Sequence, residues 1–484
     1  MGLKKFKRIL IANRGEIAVR IINTCREMGI ETVVASTPPD AGSLFIELAD
    51  YCHEFESSEL KETYLNSQAM LNVAKKYKCD AIHPGYGFLS ENALFAKSCA
   101  QAKITFIGPS SETIDLMGDK IQARAAIEKI GIPLLVAHTN PNPKELKKLL
   151  KKNDYPVLIK ASAGGGGRGM RIVQNEKELA SALESASREA ENAFGDKTVY
   201  VERYLQNCRH IEVQVLSDLH RNHLHLFERE CSIQRRHQKV IEEAPSSSLN
   251  EKQREAICEA AVKITQNINY QNAGTIEFLW SNGEFFFLEM NTRLQVEHPV
   301  TEQITGVDIV KLQILIAQGE ELSIKQSDLK INGHAIEARI YAEDPSRNFL
   351  PTAGTVNHIG RCNLPNVRVE TSFQNGCSVT TEYDSMIAKV AAHSSTRTEA
   401  SQKLNTALKS LPFSGIVNNR TFLMKVLENK NFIKGKTFTS FIEENPELLA
   451  NEDIPAEIIA AFLLASSKQT KSQSTNISNP WLNS

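Results

Sequence analysis

Between residues 289 and 297 the chain places Glu289, Asn291, Arg293, Gln295 and Glu297 two residues apart. An extended backbone turns alternate side chains to one face, so this spacing gathers carboxylates, amides and a guanidinium together. Glu277 lies before them, across Ser281-Asn282-Gly283, a turn signal between two apolar runs. With an odd-numbered turn, or a bulge in the ladder, Glu277 faces the same side as Glu289. Oxygens of Glu277, Glu289 and Asn291 would then form a ligand set for Mg²⁺, completed by nucleotide phosphates. The competing possibility is an exposed polar strand face. The apolar neighbours Ile276, Phe278, Phe286 and Leu288 argue for burial instead, and buried acids need a cation.

Two other stretches could serve the same chemistry. Gly164 to Gly167 are four consecutive glycines, followed by Arg168 and Gly169. Such a run exposes backbone N–H groups and allows positive φ, so it can wrap phosphate oxygens. It lacks the Gly-Lys-Ser/Thr of a Walker loop. A plain linker is the alternative, but linkers seldom sit between two strands as close as those ending at Lys160 and starting at Met170. Gln234-Arg235-Arg236-His237-Gln238-Lys239 is basic. By itself this run reads as a solvated loop; beside a metal it would supply cations to an anionic substrate.

The elements around these residues change character along the chain. Arg8 to Ala12 reads as a strand turning through Asn13-Arg14-Gly15 into a helix with Ile17, Ile21, Cys25 and Met28 at helical spacing. Strands at 32–35, 81–82 and 105–107 and a helix at 67–76 continue a βαβ rhythm, which predicts a doubly wound parallel sheet ending near residue 115. No G-x-G-x-x-G follows the first strand, which argues against a dinucleotide domain. A helix over 143–152, strands at 156–160 and 170–173, and a hairpin of 273–280 with 284–291 occupy the middle. The last third mixes short strands with a helix at 397–410, and a Ser-, Thr- and Asn-rich tail after Ala465 is expected to be mobile.

Composition narrows the class. The 56 basic and 57 acidic residues nearly cancel, unlike the basic excess of nucleic-acid or membrane-surface proteins. The 9 cysteines form no C-x-x-C pair, so a zinc knuckle is not expected. No apolar run approaches the ~20 residues of a membrane span and no signal-peptide pattern opens the chain, so a soluble, cytoplasmic protein is expected.

Several blocks resemble biotin carboxylase. They are Asn13 to Ala18, His83 to Asn92, Met117 to Lys120, Lys160-Ala161-Ser162 with the glycine loop, Gln234 to Lys239, Glu289 to Pro299 and Tyr383 to Met386. The resemblance runs in order over roughly 5–446. It implies three domains: an N-terminal parallel-sheet domain (1–115), an ATP-grasp domain (116–332, with a lid near 133–204) and a C-terminal α+β domain (333–446). A helical extension and polar tail would follow (447–484).

The resemblance further implies residue roles. Lys120, Lys160, Gly165, Gly166 and Gly167 would meet ATP phosphates, and Glu202, Arg203, Tyr204 and Leu205 would form the adenine hinge. His210, His237, Glu277 and Glu289 would complete the nucleotide site. Glu277, Glu289 and Asn291 would hold Mg²⁺ or Mn²⁺. Lys239, Arg293, Gln295 and Val296 would surround bicarbonate, with Arg293, Glu297 and Lys239 catalytic and Glu297 the base; Tyr86 and Arg339 would lie near biotin.

Other implications concern partners. No Ala-Met-Lys-Met-type segment occurs, so biotin is expected on a separate carrier protein or domain, with a carboxyltransferase subunit and a homodimer as further partners. Arg339 to Pro345 and Phe441-Ile442-Glu443 are similar to carboxylases of larger acyl-CoAs or of pyruvate. Another ATP-grasp ligase would share the lid and metal acids, but Lys239, Arg293 and Glu297 in these contexts would not be expected of it. A non-catalytic ATP-binding regulator would not need the base.

Overall fold

A computed structural model describes residues 3–139, 143–151, 154–162 and 170–450. The glycine loop at Gly164 to Gly167 and the polar tail lie outside the described residues.

The chain opens with β1 (Arg8–Ile11), α1 (Gly15–Glu27), β2 (Glu31–Ser36), β3 (Tyr51–Glu54), β4 (Ala81–His83) and β5 (Thr105–Phe106). Ile9, Leu10 and Ile11 are fully buried, as expected for a strand covered on both faces. Parallel pairing gives the strand order β3-β2-β1-β4-β5, so the doubly wound sheet is present. α1 buries Ile17, Ala18, Ile21, Ile22 and Cys25, and its polar start carries Arg14 and Glu16 to the rim of a cleft. Gly15 makes that turn at φ +69°, a conformation costly for any residue with a Cβ.

A separate four-stranded antiparallel sheet comprises β6 (Ala137–Thr139), β7 (Val157–Ala161), β8 (Met170–Val173) and β9 (Val199–Arg203), ordered β6-β9-β7-β8. Leu179, Ala182, Leu183, Ala186 and Ala190 of α2 (Glu176–Phe194) pack against it at helical spacing. Lys160 and Glu202 thereby face each other from neighbouring strands.

The scaffold of the site is an antiparallel sheet of eight strands. β10 (Arg209–Ser217), β11 (His223–Arg235), β12 (Gln238–Ala244), β13 (Asn272–Ser281) and β14 (Glu284–Asn291) come first. β15 (His334–Tyr341), β16 (Val367–Glu370) and β17 (Met386–Ser394) complete it. The order is β14-β13-β10-β11-β12-β15-β17-β16. One face packs on α3 (Glu251–Asn267) through Ile211, Val213, Ile257, Ile264, Phe278 and Phe287. α4 (His298–Thr305) lies on β11, β12, β15 and β17. Among the described residues no helix is long and apolar enough to cross a membrane.

Candidate active site

The hairpin β13–β14 closes through Asn282 and Gly283, both at positive φ (52° and 87°), the conformation a two-residue hairpin turn demands. That even-numbered turn by itself would set Glu277 opposite Leu288. A bulge between Glu277 and Phe278 corrects the phase, so Glu277 pairs with Glu289 and Thr275 with Asn291. Of the two routes open from the sequence, the bulge is the one taken.

The period-two reading holds only to Asn291, where β14 ends. Glu297 sits at the N-terminal cap of α4 with φ −81° and ψ 11°, not in an extended strand. The chain must leave the sheet edge to start α4 under the sheet, and Pro299 in its first turn suits that start. Glu297 nevertheless reaches the same cleft, because the loop folds back beneath Lys239.

One cavity of about 870 Å³ is lined by every described residue of the expected site. Lys120, Lys160, Glu202 to Leu205, His210, His237, Glu277 and Glu289 belong to its lining. So do Asn291, Arg293, Gln295, Val296, Glu297 and Lys239, together with Tyr86 and Arg339.

At its centre the Lys239 ammonium donates to three carboxylates: Glu212 Oε2 at 2.5 Å, Glu277 Oε1 at 2.8 Å and Glu297 Oε1 at 2.8 Å. Burial alone would lower the Lys239 pKa; these acids hold it well above the usual range. Burial would likewise raise Glu297, but Lys239, Arg339 and Arg229 keep it well below the ordinary carboxylate value, so it is ionised. Glu277 is also held low against its burial, by Lys239 and then His210, whose Nε2 is 3.1 Å from Glu277 Oε2. Glu289 goes the other way: burial and the neighbouring Glu277 raise it.

Among the described residues no ion pair engages Glu289, although Lys120 and Lys160 pull against its rise. Lys120 is lowered by burial, offset in part by Glu289. Lys160 is already paired with Glu202. Glu277, Glu289 and the Asn291 amide oxygen are hard donors, and two like charges, one buried at Glu277 and one half-buried at Glu289, face each other there. That donor set fits Mg²⁺ or Mn²⁺. Arg293 is fixed on three sides, donating to Glu91 Oε2 at 2.7 Å, Gln295 Oε1 at 2.8 Å and Asn291 Oδ1 at 3.0 Å. Arg339 donates to Glu297 Oε2 at 2.7 Å, and its Nε lies 2.6 Å from Glu242. Tyr86 donates to Glu16.

Sequence reasoning passed over Glu91 in the lining of this cleft and several buried residues behind it. Glu212 is fully buried opposite Glu277, and fully buried Arg229 donates to it at 2.5 Å. Glu242, Glu337 and Lys389 were also missed. A signal existed for Glu212: His210, Glu212 and Gln214 alternate with Ile211, Val213 and Val215, a polar face on a strand apolar on the other.

Comparison with known proteins places these features in context. Residues 5–114 match the family model for the biotin carboxylase N-terminal domain, and residues 337–444 that for its C-terminal domain. Residues 119–325 match the ATP-binding domain of the carbamoyl-phosphate synthase L chain. Biotin carboxylase 2 of Bacillus subtilis is 47% identical over 91% of this chain and 100% of its own length. Pyruvate carboxylase of the same organism is 46% identical over 93% of this chain, which spans only 40% of that longer protein.

Solved structures agree. The biotin carboxylase domain of Hydrogenobacter thermophilus 2-oxoglutarate carboxylase, a dimer in complex with MgADP, ADP and bicarbonate, aligns with TM-score 0.90 at 42% identity. The alignment covers 94% of this chain and all of that one. Biotin carboxylase of Campylobacter jejuni aligns with TM-score 0.87 at 44% identity, covering 91% and 99%.

Proposed function

The chain belongs to the biotin carboxylase family, and we propose that its cleft performs ATP-dependent carboxylation of biotin with the residues assigned above. The other ATP-grasp ligase considered from sequence is disfavoured because biotin carboxylase domains flank the ATP-binding one on both sides. The observation that carries the reading is the single point where Lys239 joins Glu277, Glu297 and Glu212. It sets a metal-side acid and an ionised base each one hydrogen bond away from the same cation.

Bicarbonate is held by Lys239, Arg293, Gln295 and the Val296 backbone. When its oxygens take over part of the Lys239 ammonium, the strongest of the charges that hold Glu297 ionised is weakened and Glu297 becomes a stronger base. Glu297 then removes the bicarbonate proton as the oxygen attacks the γ-phosphorus of ATP. Lys120, Lys160 and His210 orient the phosphates, with His237 and the Glu202 to Leu205 segment at the nucleoside. A metal held by Glu277, Glu289 and Asn291 would neutralise charge on the transferred phosphoryl group.

The carboxyphosphate so formed decomposes to CO₂ beside the ureido ring of biotin. Arg293 stabilises the enolate-like oxygen made when the ureido nitrogen loses its proton to the phosphate released with that CO₂. Tyr86 and Arg339 wall the biotin end.

The domain limits proposed are 1–115, 116–332 and 333–446. Biotin comes on a carrier protein or domain, a carboxyltransferase subunit takes the carboxyl onward, and two copies form a dimer in the cytoplasm. The relatives named as pyruvate carboxylase support pyruvate as one acceptor; larger acyl-CoAs are the other class. The deciding experiment measures ADP release and carboxybiotin with free biotin, with and without bicarbonate. ADP release that needs bicarbonate is expected; release indifferent to bicarbonate would remove the assignment.

A further inference from the structure

Behind Arg339 the sheet holds two carboxyls that the reaction does not use. Glu242 on β12 and Glu337 on β15 are direct cross-strand partners, so their side chains share a face, and both are fully buried. Arg339, two residues beyond Glu337, shares that face, as do its cross-strand partner Lys389 and, next to Lys389, Glu370.

The cations within reach are committed elsewhere. Lys389 donates to the Val296 carbonyl at 2.6 Å and pairs with Glu370 at 3.0 Å and Glu16 at 3.3 Å. Arg339 is divided between Glu297 and Glu242, and Lys239 between Glu212, Glu277 and Glu297. Among the described residues Glu337 has no ion pair, and neither of its oxygens has a hydrogen-bond partner; the Glu242 oxygens also lack a properly directed donor.

An ionised carboxyl in that position would be a buried, uncompensated charge, which protein interiors avoid by neutralising the group. A neutral Glu337 gains an O–H, and the facing Glu242 is the acceptor its strand register supplies. We propose that Glu337 is a protonated carboxyl donating to Glu242, so that the pair carries one negative charge and that charge positions Arg339. This rests on the reading of Arg339 as part of the biotin wall. Burial, reinforced by Glu242 and Glu370 and opposed by Lys389 and Arg339, raises Glu337 well above the ordinary range. Burial also lifts Glu242, to about 7, with Glu297 adding and Arg339 and Lys239 opposing. Glu337 is thus a positioning residue acting through Glu242.

The test needs no biotin in its first arm. Infrared spectra of the full chain at pH 8 should contain a protonated-carboxyl C=O band that Glu337→Gln removes. A wild-type band that survives the substitution, or no such band at all, overturns the shared proton. Gln keeps a neutral donor there, so Glu337→Gln should retain carboxybiotin formation within about threefold. Glu242→Gln removes the charge opposite Arg339 and should raise KM for biotin about tenfold, with bicarbonate-dependent ADP release changing less. Equal losses in the two variants, or an unchanged biotin KM in Glu242→Gln, overturn the positioning role. Arg339→Ala, assayed for biotin KM alongside, tells whether the underlying biotin-wall reading has failed instead.

Discussion

Two buried polar clusters share the eight-stranded sheet, and they differ in how completely they are satisfied. Around Glu230, Oε1 accepts from Arg209, Ser232 and Thr437, and Oε2 from Ser246 and Ser248. Arg209 also reaches the Gly435 carbonyl, so this cluster fastens the segment near Thr437 to the sheet. In and behind the cleft, by contrast, His210 Nε2 and the oxygens of the fully buried Glu242 and Glu337 are left without directed partners. Three acids compete there for one lysine. A finished network holds a structure; an unfinished one is set to exchange partners with ligands.

Four substitutions test that contrast, in order of decreasing effect. Glu297→Ala should suppress bicarbonate-dependent ADP release and carboxybiotin together by about 10²–10⁴-fold, the usual contribution of a general base. Retained ATP cleavage would require a different base. Arg293→Ala, assayed at saturating bicarbonate, should lower carboxybiotin by about 10²-fold and ADP release by less, as loss of an oxyanion-type donor does. Parallel loss of both products would end the assignment of Arg293 to the enolate.

Glu289→Gln should depress turnover about tenfold and raise the Mg²⁺ needed for half-maximal rate, since one ionised donor is lost from a hard-cation site. A Mg²⁺ titration superimposable on wild type would exclude Glu289 as a ligand. At the finished cluster the outcome should invert. Glu230→Ala leaves the largely covered Arg209 guanidinium without its acid and should cost about 3 kcal/mol in denaturant unfolding. Activity of the protein still folded should change about twofold or less. A large change in KM for ATP with unaltered stability would erase the distinction between the clusters.

Much of the fold was legible because its signals are local. Arg8–Ile11, Ser67–Lys76, Met170–Val173 and Arg397–Ser410 follow from periodicity and caps within one window. The hairpin and its pair of acids were legible as well, because Asn282-Gly283 announces the turn. The supporting acids were not. Glu212 meets Glu277, and Glu242 meets Glu337, only through the pairing of β10 with β13 and of β12 with β15, whose members lie far apart in sequence. Local pattern carries no information about which strands meet. The departure at Glu297 has a different origin: spacing of two is also produced by a loop that ends one element and caps the next.

The bulge in the hairpin bears on how such a chain changes length over generations. Removing Leu288 would absorb the surplus residue into a regular ladder and keep Glu289 opposite Glu277. Adding one residue there would carry Glu289 to the opposite face, among Phe278 and Phe287. Single-codon losses and gains at this point therefore have unequal consequences, and a library of in-frame deletions and insertions at Leu288, selected for carboxylase activity, should recover the loss alone.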